Sequence, residues 1–173
     1  LKLLILTLFL QKHTILKKLL PLLAACSLQL AACSLPSDVF EKDVVVPGQQ
    51  WESSFKPRIE FTIKEQDTSY LYNIYLVLRH SDAYNYNNIW VKGTVQEPGD
   101  TAVRSQRYDL VLATNDKGWL GSGMDDIYEH RVLVQPGTKF RKPGTYSFMI
   151  EQIMREDPLK HVLNVGVRVE KAQ

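Results

Sequence analysis

The chain has two cysteines, and each closes a run of small residues: Leu23-Ala24-Ala25-Cys26 and Leu30-Ala31-Ala32-Cys33. A thiol at the end of such a box can take a lipid once a signal peptidase, whose cleft accepts only small side chains, has cut before it. Lys12, Lys17 and Lys18 stand ahead of an apolar run, which gives the order of a secretory signal: positive charge, apolar segment, small residues at the cut. Cys33 suits that order better than Cys26. It leaves Leu19 to Leu30, about a dozen residues, as the apolar region, whereas Cys26 leaves only Leu19 to Leu22. The competing readings are an ordinary secretory signal and an uncleaved anchor. An anchor needs about 20 uninterrupted apolar residues, and Pro21, Ser27 and Gln29 interrupt this one. The expectation is a signal peptide over residues 1–32 and a lipidated Cys33. Two or more acyl chains pass the threshold for stable anchoring, at about 0.8 kcal/mol per buried methylene.

Beyond Cys33, residues able to do chemistry are sparse. No further cysteine follows, so neither a disulfide nor a thiolate site is available there. His80, His130 and His161 fall in different elements, none at the spacing of a metal-ligating or nucleophile–base motif. Lone histidines are ordinarily surface residues or satisfied core residues. The expectation is therefore no catalytic residue, no metal and no cofactor. The densest unusual stretch runs from Gly118 to Arg131. Within it Trp119, Tyr128 and Arg131 could line a hydrogen-bonding aromatic surface, and Asp125, Asp126 and Glu129 offer the hard oxygen donors that calcium prefers. Against both stands a plain loop whose Trp119 plugs one end of the fold while the carboxylates stay solvated. A second candidate surface combines Tyr75 with Trp90, each alternating against apolar neighbours. If their strands are adjacent, the two rings form a flat aromatic platform suited to stacking on a sugar or anchoring a protein. The Tyr- and Asn-rich loop Asp82 to Asn88 would border it.

The elements that must position these residues are strands. Ile59, Phe61 and Ile63 alternate with Arg58, Glu60, Thr62 and Lys64, as in a strand with one face in a core. The same period recurs around Tyr72 to Leu78, Ile89 to Val95, Tyr108 to Leu112, Val132 to Val134, Tyr146 to Ile150 and Val165 to Val169, with Trp51 to Phe55 as a further candidate. Turn signals stand at Glu97-Pro98-Gly99-Asp100, Pro136-Gly137 and Lys142-Pro143-Gly144. No segment carries a helical stripe over three turns. The expected fold is all-β: a single antiparallel β-sandwich over 51–173, jelly-roll or immunoglobulin-like, reached through a polar tether over 33–50 that contains Pro36 and Pro47.

Of the 21 lysines and arginines, Lys2, Lys12, Lys17 and Lys18 precede Cys33, whereas all 19 acidic residues follow it. The expected folded part is thus slightly acidic. That balance argues against nucleic acid as a partner, which would require a one-signed basic face.

Several stretches together resemble the GldH family of gliding motility lipoproteins of the Bacteroidetes. They are Asn73 to His80 followed by Tyr84-Asn85-Tyr86-Asn87-Asn88, then Gly118 to Gly123, then Phe140 to Phe148 with Glu151 to Arg155, and finally Val165 to Lys171. The likeness covers nearly the whole chain beyond Cys33, in order, with the lipid box in its expected place. It implies a non-enzymatic lipoprotein of the cell envelope, required for surface gliding in gliding members and linked there to type IX secretion and motility proteins. It implies no site residue besides Cys33.

Three functions follow for comparison. One is an envelope scaffold that holds partner proteins of a secretion or motility complex. The second is a carbohydrate-binding module working through Tyr75, Trp90 or Trp119. The third is a lipid-anchored hydrolase, which requires one of the histidines beside a carboxylate or serine. Ser34 after the lipidated cysteine suits placement in the outer membrane.

Overall fold

Alternating burial builds two facing layers. The computed structural model describes residues 39–172, so the leader and Cys33 lie outside the described residues. One antiparallel sheet runs in the order β1 (Val39–Val45), β13 (Val162–Lys171), β4 (Tyr72–Ser81), β10 (Ile127–Thr138) and β9 (Ser122–Met124). The other runs β3 (Arg58–Ile63), β11 (Gly144–Gln152), β5 (Asn88–Gln96) and β6 (Val103–Val111). Two short pairs complete the described strands: β2 (Gln50–Trp51) with β12 (Leu159–Lys160), and β7 (Ala113–Thr114) with β8 (Gly118–Trp119). The long strands take the orders β1-β13-β4-β10 and β3-β11-β5-β6. Successive long strands cross from one sheet to the other, except in the β5–β6 hairpin. This is the eight-stranded double Greek key of a jelly roll, and it decides between the two sandwich types expected.

The strand pattern explains the core. Ile59, Phe61 and Ile63 of β3 are buried while Arg58, Glu60 and Thr62 are exposed. Ile74, Leu76 and Leu78 of β4 meet Phe148 and Ile150 of β11 and Ile89 and Val91 of β5 in a common core. Aromatic clusters close this aliphatic centre at both ends. At one end Phe61 lies 5.6 Å from Phe40, 5.4 Å from Phe140 and 5.7 Å from Tyr146 between ring centroids. At the other end His80, Tyr84, Trp119 and Tyr128 pack together.

The structure departs from the sequence reading at four places. The segment expected as a tether contains β1, which pairs with β13 from Val39 opposite Glu170 to Val45 opposite Asn164. Phe40 and Val44 are half-buried against the core and Val46 is buried, so the sandwich starts at Val39 rather than Trp51. Lys42 takes the inward parity between Phe40 and Val44. A charge at such a position breaks the apolar alternation and also protects an edge strand from pairing further. Second, the strand expected over Trp51 to Phe55 is only β2. Trp51 is fully buried, and its indole Nε1 donates to the Phe55 carbonyl at 2.9 Å across a turn. Third, Pro136-Gly137 is no turn between strands. It lies within β10 as an irregularity where the register with β4 shifts, with Gly137 at φ 60° and its N–H donating to Asn73 Oδ1 at 3.1 Å. A bulge uses the same residues as a turn because both need positive φ. Fourth, Gly118 to Arg131 is no plain loop. It carries β8, β9 and the start of β10, with Asp125 at φ 53° in the tight β9–β10 turn.

Truncation separates tether from strand. Removing residues 1–38 from an unlipidated protein should leave its urea midpoint unchanged. Removing residues 1–50 should abolish cooperative unfolding, because the β13 edge and the Phe61 ring lose their cover. Equal midpoints for the two truncations would show that β1 is dispensable.

Candidate functional site

Two of the three histidines among the described residues meet inside the sandwich. The register of β4 and β10 sets Tyr128 opposite His80 and His130 opposite Leu78, so both imidazoles point inward from neighbouring strands. Their rings stack at 5.0 Å and 17°, and the two Nε2 atoms are 2.9 Å apart. His80 Nδ1 lies 2.7 Å from the Ser81 carbonyl oxygen. That oxygen can only accept, so Nδ1 carries the proton, and in the neutral ring His80 Nε2 is left as the acceptor. His130 Nε2–H is then the donor between the rings. Exposures of 0 % for His80 and 3 % for His130 make the charged forms costly. Burial pushes His80 down from its ordinary value, and burial, followed by repulsion from His80, pushes His130 down to about 4.

Trp119 lies over this pair, its ring centroid 4.4 Å from that of His80 and 5.7 Å from that of Tyr128. It is half-buried, which matches the plug expected of it. Gly121 lets the chain approach β10 closely. A Cβ there would fall 2.5 Å from the Glu129 carbonyl oxygen and 2.8 Å from His130 Nε2. Among the described residues no carboxylate hydrogen-bonds either imidazole, and no group of three or more His, Cys, Asp or Glu could hold a metal ion. His161 takes part through its backbone: it adopts φ 68°, donates to the Gln49 carbonyl and accepts from the Ser81 N–H. The pair and the Ser81 carbonyl oxygen together satisfy three of the four ring nitrogens.

The remaining candidates divide between faces. Trp119 and Tyr128 face inward. Arg131 stands on the opposite face of β10, where it reaches across β4 and β13 to Glu41 of β1. Its Nε and Nη2 donate to the two Glu41 oxygens at 3.0 and 2.9 Å, and Nη2 lies 2.7 Å from Glu129. Arg168 Nη1 joins Glu41 at 2.8 Å, and Arg79 pairs with Glu129. Hydrogen bonds from Arg131 first, then from Arg168, hold the Glu41 carboxyl below the usual carboxylate range against the opposing effect of burial. The span of Arg131 explains why Val77, an outward residue of β4, is only 3 % exposed. It also engages Glu129, which the sequence offered as a calcium ligand beside Asp125 and Asp126.

Tyr75 and Trp90 form no platform. Tyr75 lies on the outer face of β4, where a hydrogen bond to Glu170 pushes its phenol up. Trp90 lies on the outer face of β5, 42 % exposed. The neighbours of β4 are β13 and β10, and those of β5 are β11 and β6, so the two rings look out from opposite sides of the sandwich. The platform required adjacent strands, but the β4–β5 connection of a jelly roll crosses between sheets.

The histidine pair sets a pH dependence. Its pKa values are lowered in the folded state, so the unfolded chain binds more protons between about pH 6.5 and 4. Stability contributed by the neutral pair is complete above that window and is lost as pH falls through it. His130→Gln should flatten this part of a plot of unfolding free energy against pH, and an unchanged slope would contradict the pairing.

The GldH lipoprotein family model matches residues 38–169, a span that begins at the strand the sequence reading missed. A gliding motility lipoprotein GldH homolog of Christiangramia forsetii is 25 % identical over 122 residues, covering 66 % of this chain and 74 % of that protein. Gliding motility lipoprotein GldH of Flavobacterium johnsoniae is 28 % identical over 121 residues, covering 65 % and 74 %. Among solved structures, a carbohydrate-binding module specific for non-crystalline cellulose, CBM28, superposes with a TM-score of 0.40 and 12 % identity, covering 77 % of this chain and 73 % of that one. The match along almost the whole jelly roll is decisive: this chain belongs to the GldH lipoprotein family.

Proposed function

We propose that the protein is a lipid-anchored lipoprotein of the cell envelope that holds subunits of a motility or type IX secretion assembly without catalysing a reaction. Membership of the GldH family supports the lipoprotein and motility parts of this reading. The observation that carries the scaffold part is the outer face of the five-stranded sheet. Arg168, Glu41, Arg131, Glu129 and Arg79 form one connected array there. Exposed ion pairs contribute only about 0–1 kcal/mol each to stability, but a fixed charge pattern across four strands selects a complementary partner and repels others. The His80–His130 contact, by contrast, lies on the inner face of that sheet. Ser34 supports outer-membrane placement. The carbohydrate-binding alternative, through Tyr75, Trp90 or Trp119, has less support, because Tyr75 and Trp90 lie on opposite sheets and Trp119 is half-buried against His80.

Two variants test this. Cys33→Ala should leave unprocessed precursor and release the protein from membranes, and normal membrane retention would sink the lipoprotein reading. Arg131→Ala combined with Arg168→Ala removes four partly exposed ion pairs and should lower unfolding free energy by no more than about 4 kcal/mol, at about 0–1 kcal/mol for each. The same double variant should lose recovery of envelope partners in a crosslinked pull-down. Undiminished recovery would remove the charged face from the scaffold.

A further inference from the structure

One end of the sandwich is where the described chain begins. β1 begins at Val39, six positions after Cys33, and six residues reach about 20 Å when fully extended. Val39 lies opposite Glu170 near the end of β13, and at the same end β4 begins, β10 finishes and the β3–β4, β5–β6 and β10–β11 connections gather. If Cys33 carries lipid, as proposed above and as this inference requires, that end faces the bilayer within the reach of the linker.

The side chains there have the chemistry of a bilayer contact. Tyr70 and Leu71 are each 48 % exposed. Lys171 Nζ sits 4.0 Å from the Tyr70 ring centroid, and the Ala172 N–H donates to the Leu71 carbonyl at 2.8 Å, so the C-terminal strand holds this pair in place. Lys64, Lys139 and Arg141 are exposed and make no ion pair among the described residues. The acids of the same loops are largely engaged: Glu97 by Arg104 and Lys142, Asp100 by Lys142, and Asp67 by Lys171, leaving Glu65. The far end mixes both signs, with Lys117, Arg155 and Lys160 exposed among its acids. Asp82, Asp116, Asp125 and Asp126 are exposed there without an ion pair among the described residues. Met124, 79 % exposed, stands beside two of these aspartates, which an anionic surface would repel.

We propose that the end bearing Tyr70 and Leu71 rests on the surface of an anionic bilayer, its apolar pair dipping into the headgroup boundary and Lys64, Lys139 and Arg141 meeting lipid phosphates. Apolar and aromatic side chains ringed by Lys and Arg bind such an interface through buried apolar area together with attraction to anionic lipid. The short linker supplies proximity, and the contact fixes orientation. The charged array on the outer sheet face then points sideways from the membrane, open to a partner in the same envelope layer.

The test uses the lipidated full-length protein in vesicles of phosphatidylethanolamine and phosphatidylglycerol. With Cys33 acylated and the leader removed, Leu71→Cys or Met124→Cys supplies the one free thiol for a nitroxide label, whose relative accessibility to oxygen and to a water-soluble nickel chelate reports depth. The label at 71 should show an oxygen-to-nickel ratio several-fold above that at 124. Adding Lys64→Glu, Lys139→Glu and Arg141→Glu should abolish the difference. Equal aqueous exposure at both positions in acylated, vesicle-bound protein would overturn the orientation and leave the lipoprotein reading standing. Absence of an acyl group on Cys33 by mass spectrometry would overturn both.

Discussion

The pairing of β1 with β13 is the constraint on which the rest depends. Seven residues from Val39 to Val45 lie along the last strand, and this fixes where the chain leaves the fold. Gly166 makes the approach possible, since a Cβ there would stand 2.6 Å from the Lys42 carbonyl oxygen and 2.8 Å from Asp43. The same strand brings Phe40 onto Phe61 on the inner face and Glu41 to Arg131 and Arg168 on the outer face. Without β1 the first sheet loses a hydrogen-bonding partner, the aromatic end cluster loses a ring, and two arginines lose their shared carboxylate. Core closure and the surface charge pattern therefore have one local cause.

The two faces of the first sheet differ in chemistry. On the inner side, β4 and β10 place two neutral imidazoles against each other, with Trp119 and Tyr128 excluding water. Buried polar groups are tolerable only when their hydrogen bonds are made, and the His80–His130 contact together with the Ser81 carbonyl meets that condition for three of the four ring nitrogens. On the outer side, charged residues from β1, β13, β4 and β10 touch in sequence, with Arg131 lying across strands that would otherwise expose Val77. Such an array has modest value for stability and high value as a pattern.

Much of the fold was legible because one buried face imposes a period of two. β3, β4, β5, β11 and β13 stand where alternation put them. β6 was read only from Tyr108 onward. Its first half carries no inward apolar residue and borders an open cleft of about 530 Å³ lined in part by Arg104, Gln106, Gln135 and Phe140, so no hydrophobic period marks it. β1 was missed because Glu41, Lys42 and Asp43 interrupt its apolar positions at a sheet edge. The candidate sites were less legible, for a reason of connectivity. His80 with His130, and Arg131 with Glu41, are brought together by pairings 50 and 90 residues apart, and no local spacing encodes such register. The array across the outer face had only one visible signal, alternating charges at Glu129 and Arg131. Tyr75 and Trp90 were joined by sequence proximity and separated by topology.

Photo-crosslinking mass spectrometry on the intact envelope, with the lipidated protein carrying a photoreactive residue at Leu133 or at Trp90, bears most directly on whether this jelly roll holds other proteins together. A scaffold docked through the outer face of the five-stranded sheet gives crosslinks to motility or secretion subunits from position 133, exposed on that face, and far fewer from position 90 on the opposite sheet. Crosslinks spread evenly over both sheets, or confined to this chain alone, would contradict it.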